Sequence, residues 1–305
     1  MTAAGALTGT APIRTTVHDV ALVFEGGGMR ASYTAATAVT LLEQGVNFDF
    51  VCGISAGSSN TVNFVSRDLA RTRDSFTDFV LDKNFGGMKT FLQGKGMFSA
   101  HWIYQEAGQP DGAFPFDFAS FARNPAHVAI QAFERDDGET VVWTEDDMPT
   151  VDDLMVRVRA SSTLPFVMPA VHIGDRVYYD GGLGQGAGIP IHMAEDAGYQ
   201  RFFCVLTRPR GYRKQPPTAS ERAIADLYVR HPHVREALLT RWERYNAELD
   251  RLERLAAEGR AYIVYADKMA VSSGTTDHDA LLRSYADGYA QAQAELPRWR
   301  EWLGF

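Results

Sequence analysis

Apolar runs alternate with glycine-rich turns and amphipathic stretches from His18 onward, and that alternation sets the fold class. Residues 20–24 form a short apolar run bounded by Gly26-Gly27-Gly28, the pattern of a parallel strand buried on both faces. Residues 29–44 follow as a helix, which Gly45 ends in the position that favours a left-handed residue. Residues 48–52 are a second strand, residues 53–57 a tight turn, and residues 58–65 open another helix. Two successive strand-turn-helix units predict a parallel sheet with right-handed crossovers.

The pattern continues with residues 127–133 and 140–144 as strands joined through Asp136-Asp137-Gly138, a hairpin signal. Thr150-Val151-Asp152-Asp153 opens a helix running to about Ala160. A second hairpin spans residues 171–179 and turns at Gly174-Asp175; residues 200–206 and 262–265 are two further strands. Residues 218–259 and 276–302 read as long helical stretches, with Thr218-x-x-Glu221 and Thr276-x-x-Asp279 as their start signals. Residues 76–121 break the pattern: they hold nine of the chain's 18 Phe, with Trp102 and Tyr104, among glycines and prolines and without clear periodicity. That composition suits irregular core over a sheet edge, or the lid and wall of an apolar pocket for an acyl chain.

Composition narrows the function classes. With 45% hydrophobic residues the chain is globular, and two cysteines in 305 residues exclude a disulfide scaffold; Cys52 and Cys204 sit in apolar runs as buried thiols. A net charge of −8 argues against binding along a phosphate backbone, so no nucleic-acid partner is expected. No apolar run is long enough to span a membrane. Residues 1–17 read as a disordered leader on a cytoplasmic protein, because the start lacks a cationic stretch and an apolar signal region. Residues 208–260 carry 11 Arg and 1 Lys against 8 Asp or Glu, which makes either a solvated helical pair or a basic face for peripheral contact with anionic lipid.

Three local motifs carry candidate chemistry. Gly53-Ile54-Ser55-Ala56-Gly57, after a strand and before a helix, fits a nucleophile elbow, whose sharp turn needs small flanking residues. The following helix points its amides toward Ser55, favouring developing negative charge. Its bland reading is a tight turn with Ser55 as a helix cap. Glu25-Gly26-Gly27-Gly28-Met29-Arg30 leaves backbone amides uncovered, as an oxyanion hole or a phosphate cradle requires. Gly26-x-Gly28-x-x-Ala31 also satisfies a dinucleotide fingerprint, but Asp49 lies at the start of the second strand, where that site needs an acid at its end. Tyr179-Asp180-Gly181-Gly182 places a carboxylate at a strand end, where it can serve as a base; Asp175 is the rival, better read as the hairpin turn.

Taken in order, Gly26-Gly27-Gly28-Met29-Arg30, Gly53-Ile54-Ser55-Ala56-Gly57, Ala160-Ser161-Ser162-Thr163-Leu164-Pro165 and Asp180-Gly181-Gly182 resemble the motif set of the patatin-like phospholipases, in its bacterial branch. The resemblance covers residues 18–207. It implies a three-layer α/β/α sandwich with a mostly parallel central sheet, to which residues 208–305 add a helical extension with one further strand. It implies a Ser-Asp dyad without histidine, with Ser55 as nucleophile, Asp180 as base, and Gly26, Gly27, Gly28 and Arg30 as the oxyanion-hole stretch. An ordinary Asp has a pKa of about 3.9, so burial against Tyr178 and Tyr179 is expected to raise Asp180 toward a useful base.

A Ser-Asp-His order would instead need a histidine after Asp180. His192, His231, His233 and His278 all read as surface or capping residues. No metal-ligand spacing occurs, so neither a metal nor a cofactor is expected. The expected activity is hydrolysis of lipid or small acyl esters. An acyltransferase and a catalytically silent lipid-binding protein are the alternatives.

Overall fold

The computed structural model describes residues 12–305, so the expected leader falls outside the description as far as residue 11. The chain folds as β1 (Val17–Phe24), α1 (Ala31–Glu43), β2 (Phe48–Ile54), α2 (Ala56–Val65), α3 (Leu69–Asp74), α4 (Met88–Leu92), α5 (Phe118–Arg123), β3 (His127–Glu134), β4 (Thr140–Thr144) and α6 (Val151–Ser161). There follow β5 (Val171–Ile173), β6 (Arg176–Asp180), α7 (Ile191–Asp196), β7 (Phe202–Val205), α8 (Ala219–Asp226), α9 (Pro232–Ala257), β8 (Ala261–Val264) and α10 (His278–Leu303). β1 starts earlier than its apolar run because Thr16 and Val17 donate backbone bonds to Asn47 O.

The strands form one sheet in the order β5-β6-β3-β2-β1-β7-β8, with β4 paired to β3. β3, β2, β1, β7 and β8 run parallel. Alternate residues of β1 feed two cores, which is why the strand reads as a continuous apolar run. Leu22 and Phe24 pack with Leu41, Phe64 and Trp299 on one face, whereas Ala21 and Val23 pack with Ile191, Tyr245 and Leu252 on the other. Helices therefore cover both faces of a mostly parallel sheet, giving the α/β/α architecture.

Both hairpins form at the expected turns, with Gly138 and Gly174 at positive φ. Residues 218–259 do not form one helix. His231 is extended ahead of Pro232, which occupies the first turn of α9, and this separates α9 from α8. The last helix is capped by Asp277, whose carboxylate accepts from Ala280 N at 2.7 Å, rather than by Thr276. Both cysteines are fully buried and unpaired.

Register places the two candidate catalytic strands end to end. β4 pairs with residues 129–133 of β3, while β2 takes residues 127–131 and β6 residues 132–134. β2 and β6 thus follow one another along the edge of β3 that β4 leaves free. Ile54 lies opposite Gln131 and Asp180 opposite Ala132, so Ser55 and Asp180 arrive at one point from opposite directions.

Candidate active site

Ser55 occupies the sharp turn between β2 and α2 with φ 58° and ψ −128°, a conformation that L-residues seldom adopt. The flanking glycines permit it by close packing: a Cβ on Gly53 would stand 2.2 Å from Gly57 O, and one on Gly57 would stand 2.4 Å from Phe24 O. Hydrogen bonds hold the strained turn. Ser55 N donates to Ser161 Oγ at 2.9 Å, and Ser55 O accepts from both the amide and the hydroxyl of Ser58.

Asp180 is 2% exposed at the end of β6. Its amide donates to Thr163 O at 2.7 Å, and its Oδ1 accepts from Gly182 N at 2.7 Å. The segment Ser161-Ser162-Thr163 therefore braces both residues, Ser161 on the elbow and Thr163 on the aspartate. Oδ2 is buried without a partner in hydrogen-bonding geometry among the described residues. Burial raises the Asp180 pKa; the Arg241 charge, the nearby Ser55 hydroxyl and the Gly182 amide act against that rise. Tyr178 packs edge-on against Trp143 and Tyr179 against Tyr228.

The glycine loop after β1 divides its amides between structure and free donors. Gly26 N donates to Gly188 O at 3.0 Å, Met29 N to Ser273 O at 3.0 Å, and Arg30 N to Gly27 O at 3.3 Å. Among the described residues, the amides of Gly27 and Gly28 have no acceptor. Gly28 adopts φ 55° and a Cβ there would meet Ser273 O at 2.4 Å, so only glycine fits. The Arg30 side chain leaves the loop toward Glu25, Arg208 and Arg241.

An apolar pocket opens beside Ser55. Five phenylalanines of the aromatic segment line it, Phe76, Phe79, Phe85, Phe98 and Phe114, with Phe79 stacked on Phe114 at 4.4 Å. Phe116 and Phe121 instead join the main core, so the segment serves both uses weighed from its composition. A single π-helical turn, Trp102–Glu106, puts Tyr104 in the pocket wall, its hydroxyl 3.3 Å from Ser59 Oγ.

His192 departs from its surface reading. It is buried in α7, with Nε2 2.7 Å from Gln131 Oε1, and burial lowers its pKa to about 4, leaving it neutral. Gln131 donates through Nε2 to Gly181 O and Gln185 O, so its Oε1 accepts from the imidazole. The pair supports the turn behind Asp180 from β3. Among the described residues no histidine bonds to Ser55 or Asp180, and no group of three or more His, Cys, Asp or Glu gathers as metal ligands. Gln131 and Arg241 escaped sequence reasoning. A lone amide in an apolar strand was the signal for the first, whereas an arginine on an amphipathic helix gives none.

The sequence model of the patatin-like phospholipases matches residues 22–194. The chain belongs to the patatin-like phospholipase family. It is accordingly a hydrolase of ester bonds, with lipid acyl esters as its class of substrate. A second sequence model, described as a domain of unknown function (DUF6363), matches residues 231–304. Among solved structures, VipD from Legionella pneumophila resembles this patatin-like chain in fold with a TM-score of 0.51 and 13% identity, over 92% of this chain and 67% of that one. None of the curated proteins matches the chain in sequence.

Proposed function

We propose that this phospholipase-family chain cleaves acyl esters through an acyl-enzyme on Ser55, with Asp180 as its only base. The observation that carries the reading is the meeting of Ser55 with an unpartnered, buried Asp180 Oδ2, beside two free amides and an apolar pocket. Ser55 Oγ attacks the ester carbonyl as its proton passes to Asp180. The raised pKa of Asp180 brings it closer to the range in which a carboxylate can accept that proton. The amides of Gly27 and Gly28, at the start of the turn, receive the oxyanion. Asp180 returns the proton to the leaving alkoxide, then takes one from the water that attacks the acyl-enzyme and passes it to Ser55 Oγ as the acid leaves.

The phenylalanine-lined pocket receives the acyl chain, and peripheral contact with an anionic bilayer delivers it. We assign that contact to the lysine-bearing segment 83–95 rather than to the basic helical region. Arg213, Arg235, Arg251 and Arg260 of that region are committed to ion pairs. In that segment Lys83, Lys89 and Lys95 line one groove, Leu92 is 79% exposed, and Leu81 just before it is 64% exposed. Among the described residues no helix is long and apolar enough to cross a membrane. Replacing the three lysines by Gln is expected to abolish co-sedimentation with phosphatidylglycerol liposomes while leaving hydrolysis of a monomeric ester; unchanged binding would move the contact elsewhere.

The test of the activity is release of fatty acid from short-chain phospholipid and p-nitrophenyl esters, with products identified by mass spectrometry. Release that is lost in Ser55→Ala supports the reading. Appearance of the acyl group only on an added alcohol would replace hydrolysis by transfer.

A further inference from the structure

We infer that Arg30, Arg208, Lys214 and Arg241, gathered beside the Asp180-Gly181-Gly182 turn, form a subsite for a phosphoryl oxyanion, occupied during turnover by the phosphodiester of a phospholipid headgroup. That occupant rests on the proposed ester hydrolysis; the anion site itself rests on the cluster alone.

Its members come from separate elements held together by aromatic and polar contacts. Arg30 follows the glycine loop of β1, Arg208 follows β7, Lys214 lies in the link to α8, and Arg241 lies on α9. The Arg208 guanidinium sits 4.3 Å from the centre of the Tyr212 ring, Tyr212 packs edge-on against Tyr245, and Lys214 Nζ lies 5.2 Å from the Tyr245 ring centre. The Lys214 backbone is clamped from both sides by the Asn246 amide, at 2.8 and 2.9 Å. Arg241 donates through Nε to Ala187 O at 3.2 Å, and its Nη2 occupies the space where a Gly182 Cβ would lie, 2.6 Å from that point. Asp180 Oδ1 lies 2.9 Å from the same point, so the cluster adjoins the dyad.

Charge in the cluster is unbalanced. None of the four cations makes an ion pair among the described residues, in contrast to Arg213 and Arg251 on the same stretch of chain. Two buried carboxylates face them: Glu25, which accepts from Tyr245 OH, Thr207 N and Thr207 Oγ1, and Asp180, which faces Arg241. Arg30 Nε is buried with no partner. Burial, reinforced by Arg241 and Arg208, lowers the Lys214 pKa to about 7, and burial followed by Arg208 lowers that of Arg30. Four cations beside two buried carboxylates leave positive charge in excess and out of water, which is costly, and an anion relieves it. Three guanidinium forks and one ammonium match the several oxygens of a phosphoryl group, which a carboxylate would fill only in part. Arg208, Lys214 and Arg241 lie beyond the segment that matches the patatin-like model, and Arg241 falls in the segment that matches the domain of unknown function.

Calorimetric titration with inorganic phosphate tests the subsite whether or not the chain hydrolyses esters. Wild type and Lys214→Arg are expected to bind, and Lys214→Met and Arg208→Gln to bind ~10-fold or more weakly, the loss of one charge-assisted bond. Circular dichroism of each variant shows that it is folded. In parallel, the ratio of kcat/KM for dihexanoyl phosphatidylglycerol to that for p-nitrophenyl hexanoate is expected to fall in Lys214→Met and to be restored in Lys214→Arg. Phosphate binding that depends on the cluster, with that ratio unchanged, supports a site for free phosphate and removes the headgroup. Equal phosphate affinity in wild type and the folded neutral variants overturns the subsite.

Discussion

The pocket beside Ser55 and the cluster beside Asp180 are built from opposite chemistries. One wall is apolar and comes from the middle of the chain, where Phe76, Phe79, Phe85 and Phe98 close a pocket with Met155 and Val158 of α6. The other is cationic and comes mostly from the region after β7, with Arg208, Lys214 and Arg241 meeting Arg30 and reaching the turn that carries Asp180. The apolar wall supplies affinity without direction, in proportion to the area it removes from water. The cationic wall supplies orientation, because an unpaired cation cluster discriminates steeply between charged and neutral ligands. A substrate with an acyl tail on one side of its ester and a phosphodiester on the other satisfies both.

Five changes break or sharpen that contrast, in falling order of effect. Asp180→Asn removes the proposed base and is expected to lower kcat/KM by ~10²- to 10⁴-fold on charged and neutral esters alike, read by initial rates. A loss confined to one substrate would place Asp180 in binding rather than chemistry. Gly28→Ala forces a Cβ toward Ser273 O at positive φ and displaces a free amide, with an expected loss of ~10²- to 10³-fold in kcat and little change in KM. Ala100→Phe fills the apolar wall from a buried position and is expected to cut kcat/KM for long acyl chains ~10-fold relative to short ones, against an overpacking cost of about 1–3 kcal/mol.

The smallest effect is one of pH. Lys214 faces Arg241, Arg208, Arg30 and Glu25 and packs on the Tyr245 ring, with its pKa lowered to about 7. It is charged below that value and neutral above it, so affinity for dimethyl phosphate, a phosphodiester whose own charge is constant in this range, is expected to be highest below pH 7 and to fall as pH rises. Bound anion stabilises the ammonium and displaces the fall to higher pH. Titration at several pH values measures it, and Lys214→Arg is expected to flatten the profile. Arg241→Met removes a charge that favours ionised Asp180, so the acid limb of the rate profile is expected to move to higher pH.

The sequence made the apolar half of this arrangement more legible than the cationic half, for physical reasons. The elbow is local: Gly53 and Gly57 are demanded by contacts within the turn and with the adjacent strand, so motif and geometry coincide. Asp180 was legible as a strand-end carboxylate, but its meeting with Ser55 depends on β2 and β6 sharing one edge of β3, a register that no short motif carries. Gly26 shows the limit of a motif, since it sits in the glycine loop yet spends its amide on Gly188. The basic stretch was visible as composition, but the approach of Arg241 to the Asp180 turn is set by α9 packing back over Gly182 and Ala187. His192 was misplaced for the same reason, because its partner Gln131 lies on a distant strand.

The most direct test of the central claim is labelling with a fluorophosphonate serine probe, with the adduct mapped by peptide mass spectrometry in wild type, Ser55→Ala and Asp180→Asn. An adduct on Ser55, absent from Ser55→Ala and much slower to form in Asp180→Asn, is the predicted result. An adduct on another serine, or equal labelling of Ser55 in wild type and Asp180→Asn, would contradict the account.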